Sequence, residues 1–316
     1  MFPRRALLAV PLAMPAVAQG FPTRGVRLIV PFAAAGPTDA IARLVAAQLE
    51  PAWGQPVVVE NRPGAGGSTG SALVARAAPD GHTLLVTANS HAINPAVLRN
   101  LPFDTLRDFQ AVVRLADGPF VLVAHPSLGA RNMAEFVAAI RARPGAFNYS
   151  TPGHGTGNHL AMERLKGLAG LDIAHVPYGG AAPATTALLG GQVQAMFNNL
   201  VNALPHIQEG RMIPIAIGSL GRAGVLPDVP PLADAFPGLT AVNWYAAFAP
   251  AGLAPALTDS INAAMARAVQ APSVVERLTA QGITPAPAPA AQFSREVAEE
   301  VAEWARVARA ANIQPE

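Results

Sequence analysis

The sequence predicts an α/β fold: two lobes of mainly parallel sheets flanked by helices, with a ligand cleft between the lobes. Three observations carry this expectation. Short, near-continuous apolar runs alternate with amphipathic segments along almost the whole chain, the pattern of parallel strands buried on both faces. The 316 residues are 51% apolar and 13% charged, enough for a large core and too apolar for disorder. A long connection after residue 218 ends in one further strand, and only helical patterns follow it.

In chain order, strands are expected at 26–30, 56–60, 83–87, 120–124, 147–150, 173–176, 193–197, 213–218 and 242–248. Helices are expected at 39–49, 68–77, 133–141, 157–168, 183–189, 255–269, 273–281 and 292–310. The stretch 99–119 reads as a turn-rich connection. The helical C-terminal part has little sheet of its own, so it should return to the first lobe. The expected domains are 19–122 plus 243–316, with 123–242 inserted between two crossing strands.

Residues 1–18 read as a secretory leader. Arg4 and Arg5 precede an apolar stretch, and Ala16-Val17-Ala18 forms a small-residue cleavage site. The apolar stretch is too short to span a membrane. The arginine pair leaves general secretion and twin-arginine export both open. Losing Arg4 and Arg5 brings the formal charge of +2 to about neutral, so there is no electrostatic footprint for nucleic acid. The chain has no cysteine, which excludes disulfides, thiolate nucleophiles and thiolate metal sites.

Ligands of open α/β sheets bind beyond the C-terminal ends of strands. The loops at those ends hold Gly, Ser, Thr, Asn, His and Tyr, with few carboxylates and no lysine. That is a set of hydrogen-bond donors without a strong base. After the first strand, a small-residue turn at Gly36-Pro37 leads into Thr38, Asp39 and a helix. Such a junction aims backbone N–H groups at an anion. Asp39 reads as a cap, or as a partner for a ligand amine or hydroxyl.

In the segment 149–165, Gly153, Gly155 and Gly157 form a nest, and Thr156 or Asn158 can cap the helix. Both an anion seat and an ordinary turn fit. Asn158 stands at the third glycine position of a dinucleotide fingerprint, which excludes that motif. A literal G-x-S-x-G spans 66–70. An exported hydrolase using Ser68 is therefore the alternative, although Ser68 sits better as a helix cap than as a nucleophile elbow. Lys166 is the only lysine and lies in a helical pattern, so there is no P-loop. His154 and His159 are five apart and off a common helical face, which argues against zinc. His91 follows a strand and is the most site-like histidine, although a structural role is favoured for it; Asn198 and Asn199 end a strand and read equally as ligand contacts or as turn caps.

At these loops the sequence resembles the extracytoplasmic receptors of tripartite tricarboxylate transporters, the Bug family. The matching stretches include RLIVPFAAAGPTDAIAR, GQPVVVENRPGAGGSTG, NYSTPGHGTGNHLAMERLK and HVPYGGAAPATTALLGGQVQAMFNN, in order along nearly the whole chain. The resemblance implies a type II-like periplasmic binding protein fold. It implies a non-catalytic, cofactor-free, periplasmic monomer that closes on a small organic acid and delivers it to membrane transporter subunits. A receptor that signals ligand occupancy to a partner fits equally well.

The resemblance implies a ligand site drawn from four places. The first loop supplies Phe32, Ala34, Ala35, Gly36, Thr38 and Asp39. The third strand's end supplies Asn89, Ser90 and His91. Thr151, Gly153, Gly155, Thr156 and His159 form the loop opposite, with Tyr178, Gly179, Asn198 and Asn199 beyond it. The chain departs from the family at the alanines of AAAGP, which resist positive φ. It also has Asn198 at a commonly acidic position and Gly179 at a commonly basic one. With few fixed cations, a mono- or dicarboxylate is expected over a citrate-like acid.

Overall fold

The computed structural model describes residues 20–311 and 313–315; the leader read at 1–18 lies outside them. The first part is a parallel unit of β1 (Val26–Val30), α1 (Pro37–Trp53), β2 (Val57–Asn61), α2 (Ser68–Ala75), β3 (Thr83–Ala88) and α3 (Ser90–Val97). β1 pairs in parallel with both β2 and β3. A long strand follows, β4 (Phe109–Ala124).

The next part comprises α4 (Met133–Ala142), β5 (Asn148–Thr151), α5 (Gly157–Ala169), β6 (Ala174–Pro177) and α6 (Ala181–Leu189). It continues through β7 (Ala195–Asn199), α7 (Leu200–Gln208), β8 (Ile213–Ile217) and the short α8 (Leu232–Ala235). Then β9 (Val242–Pro250) leads to α9 (Pro255–Val269), α10 (Pro272–Thr279), β10 (Thr284–Ala288) and α11 (Ala290–Ala310).

The strand order is β2-β1-β3-β9-β4-β7-β5-β6, with β8 and β10 also on β4. The parallel strands flank an antiparallel centre. β4 and β9 run side by side from the Phe109–Pro250 pair to the Pro119–Val242 pair. Beyond that point β4 continues into the second half of the sheet, pairing with β7 and β8.

Period-two alternation sends neighbouring strand residues to opposite faces. Leu28, Val30, Leu84 and Val86 meet the core beneath α1 and α9. Ile29 and Leu85 meet the opposite core, with Phe248, Phe293 and Trp304. The second half repeats the plan: Leu122 and Ala124 face Phe136 and Leu165, whereas Val121 and Val123 face Leu188 and Leu200. Both faces are covered, so the strands read as continuous apolar runs.

Five elements differ from the sequence expectation, one of them the short α8 inside the stretch read as a long connection. β4 begins at Phe109, inside the stretch read as turns. Two register shifts and the partly exposed Gln110, Arg114 and Asp117 interrupt its apolar pattern. β10 follows α10 where only helices were expected; Pro285 and Pro287 disguise it. α3 and α7 each carry an internal proline, Pro95 and Pro205, and begin inside stretches read as loops.

α11 seals the first half. The indole N–H groups of Trp244 and Trp304 both donate to Glu300, the latter at 2.8 Å. Burial pushes the Glu300 carboxyl up, against these two donors and nearby Arg114. Glu300→Leu leaves two buried N–H groups unpaired. It should cost about 2–4 kcal/mol in urea unfolding, whereas Glu300→Gln should cost less than half as much.

Candidate functional site

The C-terminal ends of β1 and β3 from one half, and of β5, β6 and β7 from the other, meet at one cavity of about 250 Å³. Each of these strands is followed by a helix whose first residues reach the wall: Thr38 of α1, Ser90 of α3, Gly157 of α5, Ala181 of α6 and, capping α7, Asn199. The first N–H groups of a helix lack intrahelical acceptors, and its N-terminus carries roughly half a positive charge. Phe32, Phe120 and Tyr245 supply apolar wall. No charged side chain lines the cavity among the described residues. Ser90 Oγ and Asn199 Oδ1 are buried without a hydrogen-bond partner among the described residues.

The first loop is held from behind. Asp39 Oδ2 accepts from the Ala35 N–H at 2.9 Å and from Arg43 Nε at 3.0 Å. Asn61 Nδ2 donates to Asp39 Oδ1 at 2.9 Å and to the Phe32 carbonyl at 3.1 Å. Burial opposes ionisation of Asp39, yet the bonds from Arg43, Ala35 and Asn61 hold its carboxyl below the usual range. Asp39 therefore clamps the loop and does not line the cavity. Ala35 adopts φ +64°, the left-handed conformation its side chain resists. Ala34 and Ala35 are exposed and lie outside the cavity wall, whereas Phe32, Gly36 and Thr38 form part of it.

At the third strand's end, Asn89 and Ser90 line the cavity and His91 does not. The His91 ring packs against Phe103, Phe109 and Phe248 at centroid distances of 5.7, 4.6 and 4.7 Å. Neither ring nitrogen has a hydrogen-bond partner among the described residues, and burial pushes its pKa down to about 3.

Across the cavity, Thr156 lines the wall and caps α5. Thr151, Gly153, Gly155 and His159 lie behind it and bond among themselves. Gly157 is tightly enclosed: a Cβ there would sit 3.1 Å from Asn89 Nδ2 and 3.2 Å from Phe120, so those side chains would have to shift by a few tenths of an ångström. Tyr178 packs partly against the core beside Met196, and Gly179 is exposed; neither reaches the cavity. Asn198 is fully buried and donates to Thr185 Oγ1 at 3.1 Å, whereas the next residue, Asn199, reaches the wall. Ser68 opens α2, and among the described residues no hydrogen bond joins it to a histidine or a carboxylate.

Loop-based reasoning missed Phe120, Asn243 and Tyr245, which come from the crossing strands β4 and β9. A polar Asn243 at the head of an apolar strand was the available signal. It accepts from the Asn89 N–H at 3.3 Å and so ties β9 to the start of α3.

Two outcomes follow from this geometry. Ala35→Gly relieves the left-handed strain without touching the Asp39 clamp, and should raise stability by about 1 kcal/mol, read as a higher melting temperature. His91 is neutral when folded and protonates near pH 6.5 when unfolded. Its contribution to stability is complete above pH 6.5 and is lost progressively as pH falls toward 3. His91→Phe should flatten that part of the stability–pH curve in denaturant titrations.

The family model described as the tripartite tricarboxylate transporter family receptor matches residues 41–313. Protein BugT of Bordetella pertussis is 37% identical over 301 residues, covering 94% of this chain and 92% of BugT. Among solved structures, Rpa4515 of R. palustris with adipate superposes with a TM-score of 0.84 at 32% identity, covering 94% of this chain and all of that one. MatC from Rhodopseudomonas palustris with bound malate gives 0.78 at 34% identity, covering 91% and 99%. The periplasmic binding protein BugD gives 0.81 at 29% identity, covering 94% and 100%. With this sequence, strand order and cavity, the chain belongs to the tripartite tricarboxylate transporter receptor family and has its periplasmic binding protein fold.

Proposed function

We propose that this protein is an extracytoplasmic receptor that binds a small mono- or dicarboxylate in the cavity and delivers it to membrane transporter subunits. The observation that carries the reading is a cavity ringed by helix N-termini and, among the described residues, lined by no charged side chain. Such a wall offers a carboxylate N–H donors and partial positive charge without a competing acid. Hydrogen bonds to a charged group contribute about 1.5–3 kcal/mol each, so three or four offset the cost of ordering the ligand. Adipate and malate in the two R. palustris relatives are acids of this class.

In this reading 19–122 plus 243–316 form one lobe, 123–242 form the other, and β4 and β9 are the hinge. Phe32, Gly36, Thr38, Asn89, Ser90, Thr156 and Asn199 contact the ligand. Ala35, Asp39, Thr151, Gly153, Gly155 and His159 hold the contact loops in place. Residues 1–18 are removed on export to the periplasm, where the receptor acts as a monomer. A serine-reactive probe should leave Ser68 unlabelled.

Titration calorimetry against acids with one, two and three carboxylates tests the reading, with small-angle scattering run in parallel. A mono- or dicarboxylate should bind best and compact the protein. Citrate binding more than tenfold tighter than every smaller acid would contradict it, as would an unchanged radius of gyration at saturation.

A further inference from the structure

One cluster of titratable side chains stands beside the cavity without lining it. His159 and His175 stack with ring centroids 3.9 Å apart and planes 12° apart. Tyr149 stacks on His175 at 4.9 Å, and His154 lies 4.9 Å from His159. Among the described residues, no group of histidines and carboxylates can hold a metal ion. The hydrogen bonds of His159 and His175 lead instead to one segment, the 151–157 loop that sets the start of α5.

One of those bonds defines the His159 tautomer. The Gly155 N–H donates to His159 Nδ1 at 3.0 Å, so the His159 proton is on Nε2. The Thr151 hydroxyl donates to the Gly153 carbonyl at 2.9 Å and lies 2.7 Å from His175 Nε2. The Gly153 N–H also donates to Thr151 Oγ1, at 3.3 Å, and Thr156 Oγ1 donates to the Gly153 carbonyl at 3.0 Å. The chain of bonds thus runs from His175 through Thr151 and Gly153 to the cap of α5, with His159 gripping Gly155 from the other side.

Gly155 has little freedom of its own. It adopts φ +67°, and a Cβ there would lie 2.6 Å from Val97 of α3. The N–H groups of Gly157 and Asn158 come next, in the first turn of α5 at the cavity wall. We propose that His159 and His175 are positioning residues for the ligand site: as neutral imidazoles they fix the 151–157 loop and aim the first N–H groups of α5 at the ligand carboxylate.

The surroundings keep the imidazoles uncharged. Burial, and then the neighbouring histidines, push His159 down to about 3; burial, and then His154, push His175 down to about 4. The charged groups facing them are Glu163 and Lys166 of α5. These pair with each other at 2.6 Å, and Glu163 also accepts from Tyr149 at 2.5 Å. A protonated His159 cannot accept from Gly155, so the loop depends on the neutral form.

The proposal rests on the carboxylate reading, but its test has a ligand-free arm. His159→Asn places an amide oxygen where Nδ1 stood, whereas His159→Phe keeps a ring for the stack and removes the acceptor. With adipate or malate, whichever the wild type binds, calorimetry should show at least fivefold weaker binding for His159→Phe and binding within twofold of wild type for His159→Asn. Amide hydrogen exchange at Gly155 should be at least tenfold faster in His159→Phe only. A smaller affinity loss for His159→Phe, or an equal loss for His159→Asn, overturns the proposal.

If the wild type binds no acid, the carboxylate reading fails, and Gly155 exchange still judges the loop anchor. Nitrogen NMR at pH 7 should show His159 neutral with its proton on Nε2, and the other tautomer or a cation overturns the assignment. Should His159→Phe fail to fold, Thr151→Val cuts the second anchor. It should speed exchange at Gly153 at least tenfold, and unchanged exchange there overturns the proposal.

Discussion

The antiparallel pairing of β4 with β9 is the constraint on which the rest of the molecule depends. β4 starts against β9 in one half of the sheet and ends against β7 and β8 in the other. The parallel strands on either side therefore present their C-terminal ends to a common space. The helices α1, α3, α5, α6 and α7, which follow β1, β3, β5, β6 and β7, contribute their N-termini there. An anion site assembled this way needs no lysine or arginine, because the donors belong to the backbone and cost no side-chain entropy. The crossing strands also form part of the wall, through Phe120, Asn243 and Tyr245.

A site made of backbone is only as good as the loops that aim it. The two loops facing each other are held by different chemistry for the same purpose. On one side the ionised Asp39 ties Ala35, Arg43 and Asn61 together, and Asn61 reaches the Phe32 carbonyl. On the other, neutral His159 and His175 hold Gly155 and Thr151. Charge is tolerated at Asp39 because Arg43 neutralises it. The imidazoles stay uncharged because they are buried beside each other and His154, while Glu163 and Lys166 nearby pair together.

Much of this was legible in the sequence, for a physical reason. Strands buried on both faces are apolar throughout, and β1 stands out as the unbroken Val26–Val30 run. The first half of β4 was hidden because Arg114 and Asp117 sit within it, paired at 2.6 Å. β10 was hidden because an edge strand tolerates prolines that a central one cannot. The candidate loops were found by their position after strands, so Thr38, Ser90, Thr156 and Asn199 were within reach. Composition could not tell which polar residues turn inward. His91, Asp39 and His159 look like ligand groups until their packing is known, and Asn198 and Asn199 separate only through strand alternation.

The central claim is that main-chain donors hold the ligand without a fixed cation. A crystal structure of the protein with adipate or malate tests it most directly. The account predicts a ligand carboxylate oxygen within about 3 Å of N–H groups at the starts of α1, α3, α5 or α7, with no arginine or lysine in contact. A carboxylate paired with an arginine side chain, or a ligand seated outside this cavity, would contradict it.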